Sequence, residues 1–357
     1  MGLNGGNGSV PAGQERMHAL GEFLSRMSEC VALEIVSLEP MRGGAVQENL
    51  ALDVRFDGGA LDGRQALVVR TDAPSGVAAS RSRADEFAVH RLAWESGVAV
   101  PEPLWLCTDE SLIGRPFYVM RRLPGESMGH RLVRDAGLDA TREALVERLG
   151  EELARLHTVE PPHPALGGLP TPPLSPAHAR IQEYRGYLDA LPDPQPTLEW
   201  GLRWLERKAP ATEEVVLCHC DYRTGNYLVA EGALSGILDW EFASWSNPLE
   251  DIGWFCARCW RFGEWRREAG GMGSREAFYR GYERASGRII DRDAVPYWEV
   301  MATVRWAVIA LQQGYRHTSG EQSSLELALT GRKVPEMELD ILMQIESVKE
   351  AVSSYAQ

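Results

Sequence analysis

Three polar side chains in the middle of the chain have the types and spacing that phosphoryl transfer needs. The segment reads Cys218-His219-Cys220-Asp221-Tyr222-Arg223-Thr224-Gly225-Asn226-Tyr227-Leu228-Val229, and Asp239 comes thirteen residues after Asn226. Two short apolar runs, Val215-Val216-Leu217 and Gly236-Ile237-Leu238, flank the segment and predict strands. Asp221, Asn226 and Asp239 then fall on loop edges beside those strands. One carboxylate in such a set orients an acceptor hydroxyl and takes its proton. An amide oxygen and a second carboxylate hold Mg²⁺ against nucleotide phosphates. A single D-x4-N spacing says little, because such residues also form turns; the strand-end Asp239 makes the set more specific.

The elements that must position these groups divide the chain. Residues 15 to 28 carry Met17, Leu20, Phe23, Leu24 and Met27 at helical spacing. Leu50, Leu52, Val54 and Phe56 then alternate with Ala51, Asp53 and Arg55, the pattern of a half-buried strand, and Asp57-Gly58-Gly59 predicts its turn. Ala66 to Arg70 reads as the returning strand, 84 to 95 as a helix, and Phe117 to Met120 as another strand. Beyond Pro124-Gly125 the chain turns helical. Leu145, Leu149, Leu153 and Leu156 mark one face of a helix ending near His157, and further helices are expected near 274–286, 296–316 and 336–352. The seven prolines between 161 and 176 predict a rigid connection within this second part. The expected organisation is a flexible tail over 1–15, a nucleotide-binding lobe over 16–123 and a catalytic lobe over 124–357.

The order H-x-D-x4-N followed by Asp is that of a kinase catalytic loop and metal loop. His219-Cys220-Asp221 … Asn226, then Ile237-Leu238-Asp239-Trp240-Glu241, then Asn247-Pro248-Leu249-Glu250-Asp251, resembles the aminoglycoside phosphotransferase and choline kinase superfamily. The resemblance runs from about 35 to 317. It is nearest the branch related to the kinase-like part of some acyl-CoA dehydrogenases, through Gly114 to Met120 and Asp251 to Cys256. It implies an α+β, protein-kinase-like bilobal fold with a small strand-rich N-lobe and a larger, mainly helical C-lobe. It also implies a kinase using ATP or GTP with Mg²⁺ on a small-molecule hydroxyl. Asp221 is then the catalytic base, and Asn226 and Asp239 bind Mg²⁺. His219 and Asp251 support the loop, and His157 matches a structural helix-end histidine. The family's His-Gly-Asp is His219-Cys220-Asp221 here, which strains the loop if position 220 needs a positive φ.

Donor-binding residues are expected in the first lobe. Gly43 and Gly44 precede the alternating strand, where paired glycines let backbone amides approach phosphates. A kinase also needs a strand cation held by a helix carboxylate. Lysine occurs only at 208, 333 and 349, so this role falls to Arg70, with Glu86 sixteen residues on. Arginine pairs carboxylate and phosphate bidentately, so the role survives the exchange. Backbone groups around Met120 and Arg121 are expected to meet the nucleotide base. Acceptor contacts are expected among Trp240, Glu241, Trp245, Trp254, Trp260, Arg261 and Trp265, since aromatics stack ligands or cage cations.

Composition sets the outer limits. The 357 residues carry a net charge of −14, which opposes nucleic acid and anionic membranes. No apolar run approaches the ~18 residues of a membrane span. The first residues lack the basic region and apolar core of an export signal. Six cysteines without such a signal are expected to be reduced thiols of a cytoplasmic protein. Cys218, His219, Cys220, Cys256 and Cys259 also offer enough ligands for zinc. Against that, Cys256-Ala257-Arg258-Cys259 shows helical apolar spacing and lacks the turn residues of a zinc knuckle. Two other readings stay open: a kinase-like binding module without turnover, and a zinc-binding interaction protein. The acceptor stays open among a hydroxyacyl thioester, an aminoglycoside-like cation and an amino alcohol.

Overall fold

The computed structural model describes residues 13–41, 47–72, 81–170, 175–211 and 214–355. The chain divides into two compact units, Met1–Gly125 with Ser235–Phe242, and Glu126–Leu234 with Ala243–Gln357.

The first unit opens with helix α1 (Gly13–Ser28), followed by strands β1 (Ala32–Pro40), β2 (Gln47–Asp57) and β3 (Gly63–Asp72), helix α2 (Arg83–Glu95), and strands β4 (Pro103–Cys107) and β5 (Phe117–Arg121). The five strands form one antiparallel sheet in the order β1-β2-β3-β5-β4. The alternation in β2 is realised as read: Leu50, Leu52, Val54 and Phe56 are buried. They pack with Leu20, Phe23 and Leu24 of α1 and with Leu67, Val69, Phe117 and Val119 in one core. Helix α2 begins where the Ser82 side chain accepts from the Asp85 backbone N–H at 3.1 Å, satisfying one of the free first-turn donors.

The second unit carries helices α3 (Gly129–Arg134), α4 (Arg142–Leu156), α5 (Pro176–Asp189) and α6 (Pro196–Lys208), then short strands β6 (Val216–Cys218) and β7 (Tyr227–Ala230). Strand β8 (Ala233–Ile237) leads into the 235–242 segment, where the Ile237 backbone N–H donates to Ala99 of the first unit's own chain segment at 2.8 Å. Strand β9 (Ser244–Ser246) pairs with β6 and is followed by α7 (Pro248–Cys256), α8 (Arg275–Ser286), α9 (Val295–Thr318), α10 (Leu325–Gly331) and α11 (Val334–Tyr355). The largest core here gathers α5, α6, α9 and α11 around Leu198, Leu202, Trp298, Val304 and Ile341. Helices α4 and α8 pack backbone to backbone, and glycine makes that possible. A Cβ on Gly150 would lie 2.2 Å from Phe278 O, and one on Gly281 would lie 1.9 Å from Glu147 O. That contact fixes α4, and with it His157 at its C-terminal cap.

Candidate active site

The loop from His219 to Asn226 leaves β6, and the Asp251 carboxylate holds its first residues. Asp251, in the first turn of α7, accepts the backbone N–H of His219 at Oδ2 and of Cys220 at Oδ1, both at 2.7 Å. Its Oδ2 also lies 3.2 Å from His157 Nε2, while His157 Nδ1 meets the Tyr282 hydroxyl at 2.9 Å. Burial alone would push the Asp251 carboxyl up, but the bond from His157, the charge of both histidines and the backbone donor together hold it below the usual carboxylate range. In the sequence Asp251 is marked as a support of this loop by the family resemblance alone. Its partners come from the tertiary fold.

Asp221 receives donors on both oxygens. Asn226 Nδ2 donates to the Asp221 backbone oxygen at 2.9 Å and to Oδ2 at 2.6 Å. Trp254 Nε1 donates to Oδ1 at 2.9 Å, and Arg223 Nε reaches Oδ1 and Oδ2 at 3.1 and 3.2 Å. His219 Nδ1 accepts the Asp221 backbone N–H at 3.2 Å. Because the amide nitrogen of Asn226 serves Asp221, its amide oxygen points elsewhere and suits a hard cation. The sequence reading singled out Asp221, Asn226, His219 and Asp251, and the structure brings all four together. It did not assign Arg223 to Asp221, although a cation two residues from a candidate base was a visible signal. Trp254, expected among the acceptor contacts, bonds the Asp221 carboxylate.

Cys220 sits at φ 58°, the left-handed region that disfavours a side chain. Its sulfur lies 3.3 Å from an Arg180 nitrogen and 3.2 Å from the Ser244 hydroxyl, and Arg305 donates to its backbone oxygen. Arg180 in turn bonds Glu250 through Nε at 2.9 Å. These contacts over-determine the conformation, which is how a strained residue persists in a site. Burial pushes the Cys220 and Cys256 thiols up to about 12, so neither is a thiolate near neutrality. Among the described residues the metal-sized cluster is His157, Cys218 and Asp251, not the cysteine set read from the sequence. Its members are already bonded: Cys218 to the Asn247 backbone oxygen at 3.4 Å, and His157 and Asp251 as above.

The first unit builds a second constellation. Arg70, on β3, bonds Glu86 Oε1 through Nε at 2.8 Å and Asp239 Oδ1 through Nη2 at 2.6 Å. Arg83 pairs with the other oxygen of Glu86 and with Asp72 at 2.8 Å. Arg70, Arg83 and Glu86 are all buried. Asp239 itself takes φ 70°, a left-handed conformation that Asp tolerates better than most residues. Gly43 and Gly44 lie outside the described residues. Met120 is buried on β5 against Val68, Phe87 and Tyr118. The Arg121 side chain serves the sheet, bonding Glu102 at 2.8 Å and Gln65 at 2.6 Å.

The acceptor candidates are mostly built into packing. Trp240 is 1 % exposed and stacks on His90 with ring centroids 6.2 Å apart. Glu241 is buried, and its backbone oxygen accepts from Arg81 at 3.1 Å. Trp245 is buried on β9 opposite Leu217. The Arg261 guanidinium bonds the Cys256 backbone oxygen at 2.7 Å, with Glu299 at 3.7 Å. Their aromatic and cationic types pointed to a ligand, but burial turns these side chains inward. Trp265 is half exposed. A cavity of about 380 Å³, lined by Leu311, Tyr315, Ala328 and Arg332 among others, lies in the second unit and touches none of the candidate residues.

His90 gives a pH signature. Burial pushes its imidazole down to about 3 from 6.5. Between those values an unfolded chain binds a proton at this residue that the native chain does not. Stability therefore rises with pH from about 3 to 6.5, at up to about 1.4 kcal/mol per pH unit from this group. Urea midpoints across that window check it: His90→Phe should show a shallower rise than the wild type.

The model of the phosphotransferase enzyme family matches residues 48–298. The chain belongs to that family. Over 199 residues this phosphotransferase is 31 % identical to acyl-CoA dehydrogenase family member 11 of Gallus gallus, covering 53 % of this chain and 25 % of that protein. It is 28 % identical over 185 residues to acyl-CoA dehydrogenase family member 10 of Mus musculus, covering 48 % and 16 % respectively. The match thus spans a quarter or less of these relatives' length. Among solved structures, a Ralstonia eutropha protein assigned to the aminoglycoside phosphotransferases superposes with a TM-score of 0.73 at 23 % identity, over 94 % of this chain and 98 % of that one. A choline/ethanolamine kinase family protein from Mesorhizobium loti gives 0.57 at 18 % identity, over 94 % and 99 %. A GDP complex of an aminoglycoside 2′-phosphotransferase mutant gives 0.55 at 16 %, over 94 % and 98 %. At these identities the likeness shows the fold. The phosphotransferase has the kinase-like fold expected, with an antiparallel N-terminal sheet and a mainly helical C-terminal part. No helix among its described residues is long and apolar enough to cross a membrane.

Proposed function

We propose that the protein is a Mg²⁺-dependent kinase that moves the terminal phosphoryl group of ATP or GTP onto the hydroxyl of a small cytoplasmic metabolite. The observation that carries this reading is the Asp221 carboxylate, aimed by Asn226, Trp254 and Arg223. Asp221 orients the acceptor hydroxyl and takes its proton. The amide oxygen of Asn226 and the carboxylate of Asp239 are hard oxygen donors that suit Mg²⁺. When bound, that ion neutralises and aligns the donor phosphates. Arg70, aimed by Glu86, supplies the strand cation that most kinases take from lysine. These pairings favour turnover over the binding-module reading, which rested on the missing lysine and on Cys220.

The relatives' names favour a hydroxyacyl-CoA as acceptor, and the structural neighbours' names keep an aminoglycoside or amino alcohol as the alternative. The reading is tested by nucleotide consumption with Mg²⁺ against hydroxyacyl-CoAs, aminoglycosides and amino alcohols. Turnover on one class identifies the acceptor. Absence of both turnover and MgATP or MgGTP binding overturns the reading. Asp239→Ala should abolish the Mg²⁺-dependent part of nucleotide affinity, which calorimetry with and without Mg²⁺ measures. Unchanged affinity would remove Asp239 from the ion.

A further inference from the structure

The indole of Trp254 sits where three interactions meet. Its Nε1–H donates to Asp221 Oδ1 at 2.9 Å. The Arg305 guanidinium carbon lies 4.4 Å from its ring centroid. Its edge meets Trp260 at 5.2 Å and 61°, and Trp260 carries the Arg223 guanidinium at 4.4 Å. Both arginines return to the same loop: Arg223 to the Asp221 carboxylate, Arg305 to the Cys220 backbone oxygen. Trp254 is 2 % exposed, so little water competes for its N–H. An indole N–H only donates, and a ring wedged between a guanidinium and a second indole has little rotamer freedom. The donor is therefore rigid, whereas Arg223 reaches Asp221 on a long and flexible side chain.

We propose that Trp254 is a positioning residue for phosphoryl transfer, whose indole N–H fixes the orientation of the Asp221 carboxylate relative to the acceptor hydroxyl. This rests on the reading of Asp221 as the group that handles that hydroxyl. Near-attack geometry is steep in distance and angle, so loosening the carboxylate lowers kcat and leaves donor binding alone. Arg305 is the companion: it stacks on the ring and holds the loop backbone at Cys220.

Trp254→Phe keeps an aromatic ring beneath Arg305 and removes the N–H. The expected result is a kcat about 10- to 100-fold lower with nucleotide KM within about twofold of wild type. Trp254→His, which restores a ring N–H with less bulk, should recover part of kcat. In an Asp221→Asn background the Trp254→Phe change should cost little more, because the two act through one carboxylate. A kcat within about threefold of wild type in Trp254→Phe, or losses that multiply fully in the double variant, would overturn the proposal. A spectrum of protein with 15N-labelled tryptophan needs neither Trp254 variant to fold. Asp221→Asn should move one indole N–H resonance, and no movement also overturns it. If wild type turns over no acceptor while that resonance does move, the hydrogen bond stands and the catalytic reading of Asp221 falls, taking the proposal with it.

Discussion

Asp221→Ala should lower kcat by about 10²- to 10⁴-fold while leaving nucleotide affinity nearly unchanged. The carboxylate contacts Asn226, Trp254 and Arg223, and all three converge on it from loop and helix. On the proposed reading, removing it takes away the group that orients the hydroxyl and accepts its proton. Asn226 keeps its bond to the backbone oxygen of residue 221, so its side chain stays placed. Binding and chemistry therefore separate, and steady-state kinetics with direct nucleotide titration reads both. Asp221→Asn keeps the shape but cannot take a proton, so it should fall nearly as far. Turnover in Asp221→Ala within tenfold of wild type, a bound set on, would place the proton acceptor elsewhere. Loss of nucleotide binding with turnover would mean the carboxylate organises the loop rather than the reaction.

Glu86→Ala should lower stability by about 3–5 kcal/mol, because it strands two buried guanidinium groups. Glu86 is fully buried and bonds Arg70 with one oxygen and Arg83 with the other. Asp239 and Asp72 remain as partners, but each is already engaged with one arginine. Urea unfolding measures the loss. Adding Arg83→Met should recover part of it by removing one of the stranded charges. Arg70 also loses its aim, so nucleotide KM should rise in the single variant even where it folds. A Glu86→Ala protein within about 1 kcal/mol of wild type would contradict the burial of this network.

The candidate groups were legible in the sequence because they lie close together along the chain. Asp221 and Asn226 share one loop, and the spacing of that loop is set by its own backbone geometry. Arg70 and Glu86 could also be paired from sequence, because a kinase needs a strand cation held by a helix carboxylate and Glu86 lies sixteen residues after Arg70. The alternation of Leu50 to Phe56 predicted β2 for the same local reason. Strand β1 was not read, because its residues mix Glu34 and Glu39 with partly buried apolar side chains and no clean period results.

The acceptor candidates show the opposite limit. Trp240, Trp245 and Arg261 have the right types for ligand contact, yet each is buried and engaged in packing. Residue type alone does not say which way a side chain faces. Trp254 makes the same point from the other side, since its bond to Asp221 joins residues thirty-three positions apart. The types and spacing of Asp221, Asn226 and Asp239, and the elements that carry them, were thus determined by the sequence alone, because each depends on neighbours along the chain. Which side chains donate to Asp221 and Cys220, and which aromatics turn inward, was decided only when α4, α7 and α9 packed around the loop, because burial and donor geometry are properties of that packing.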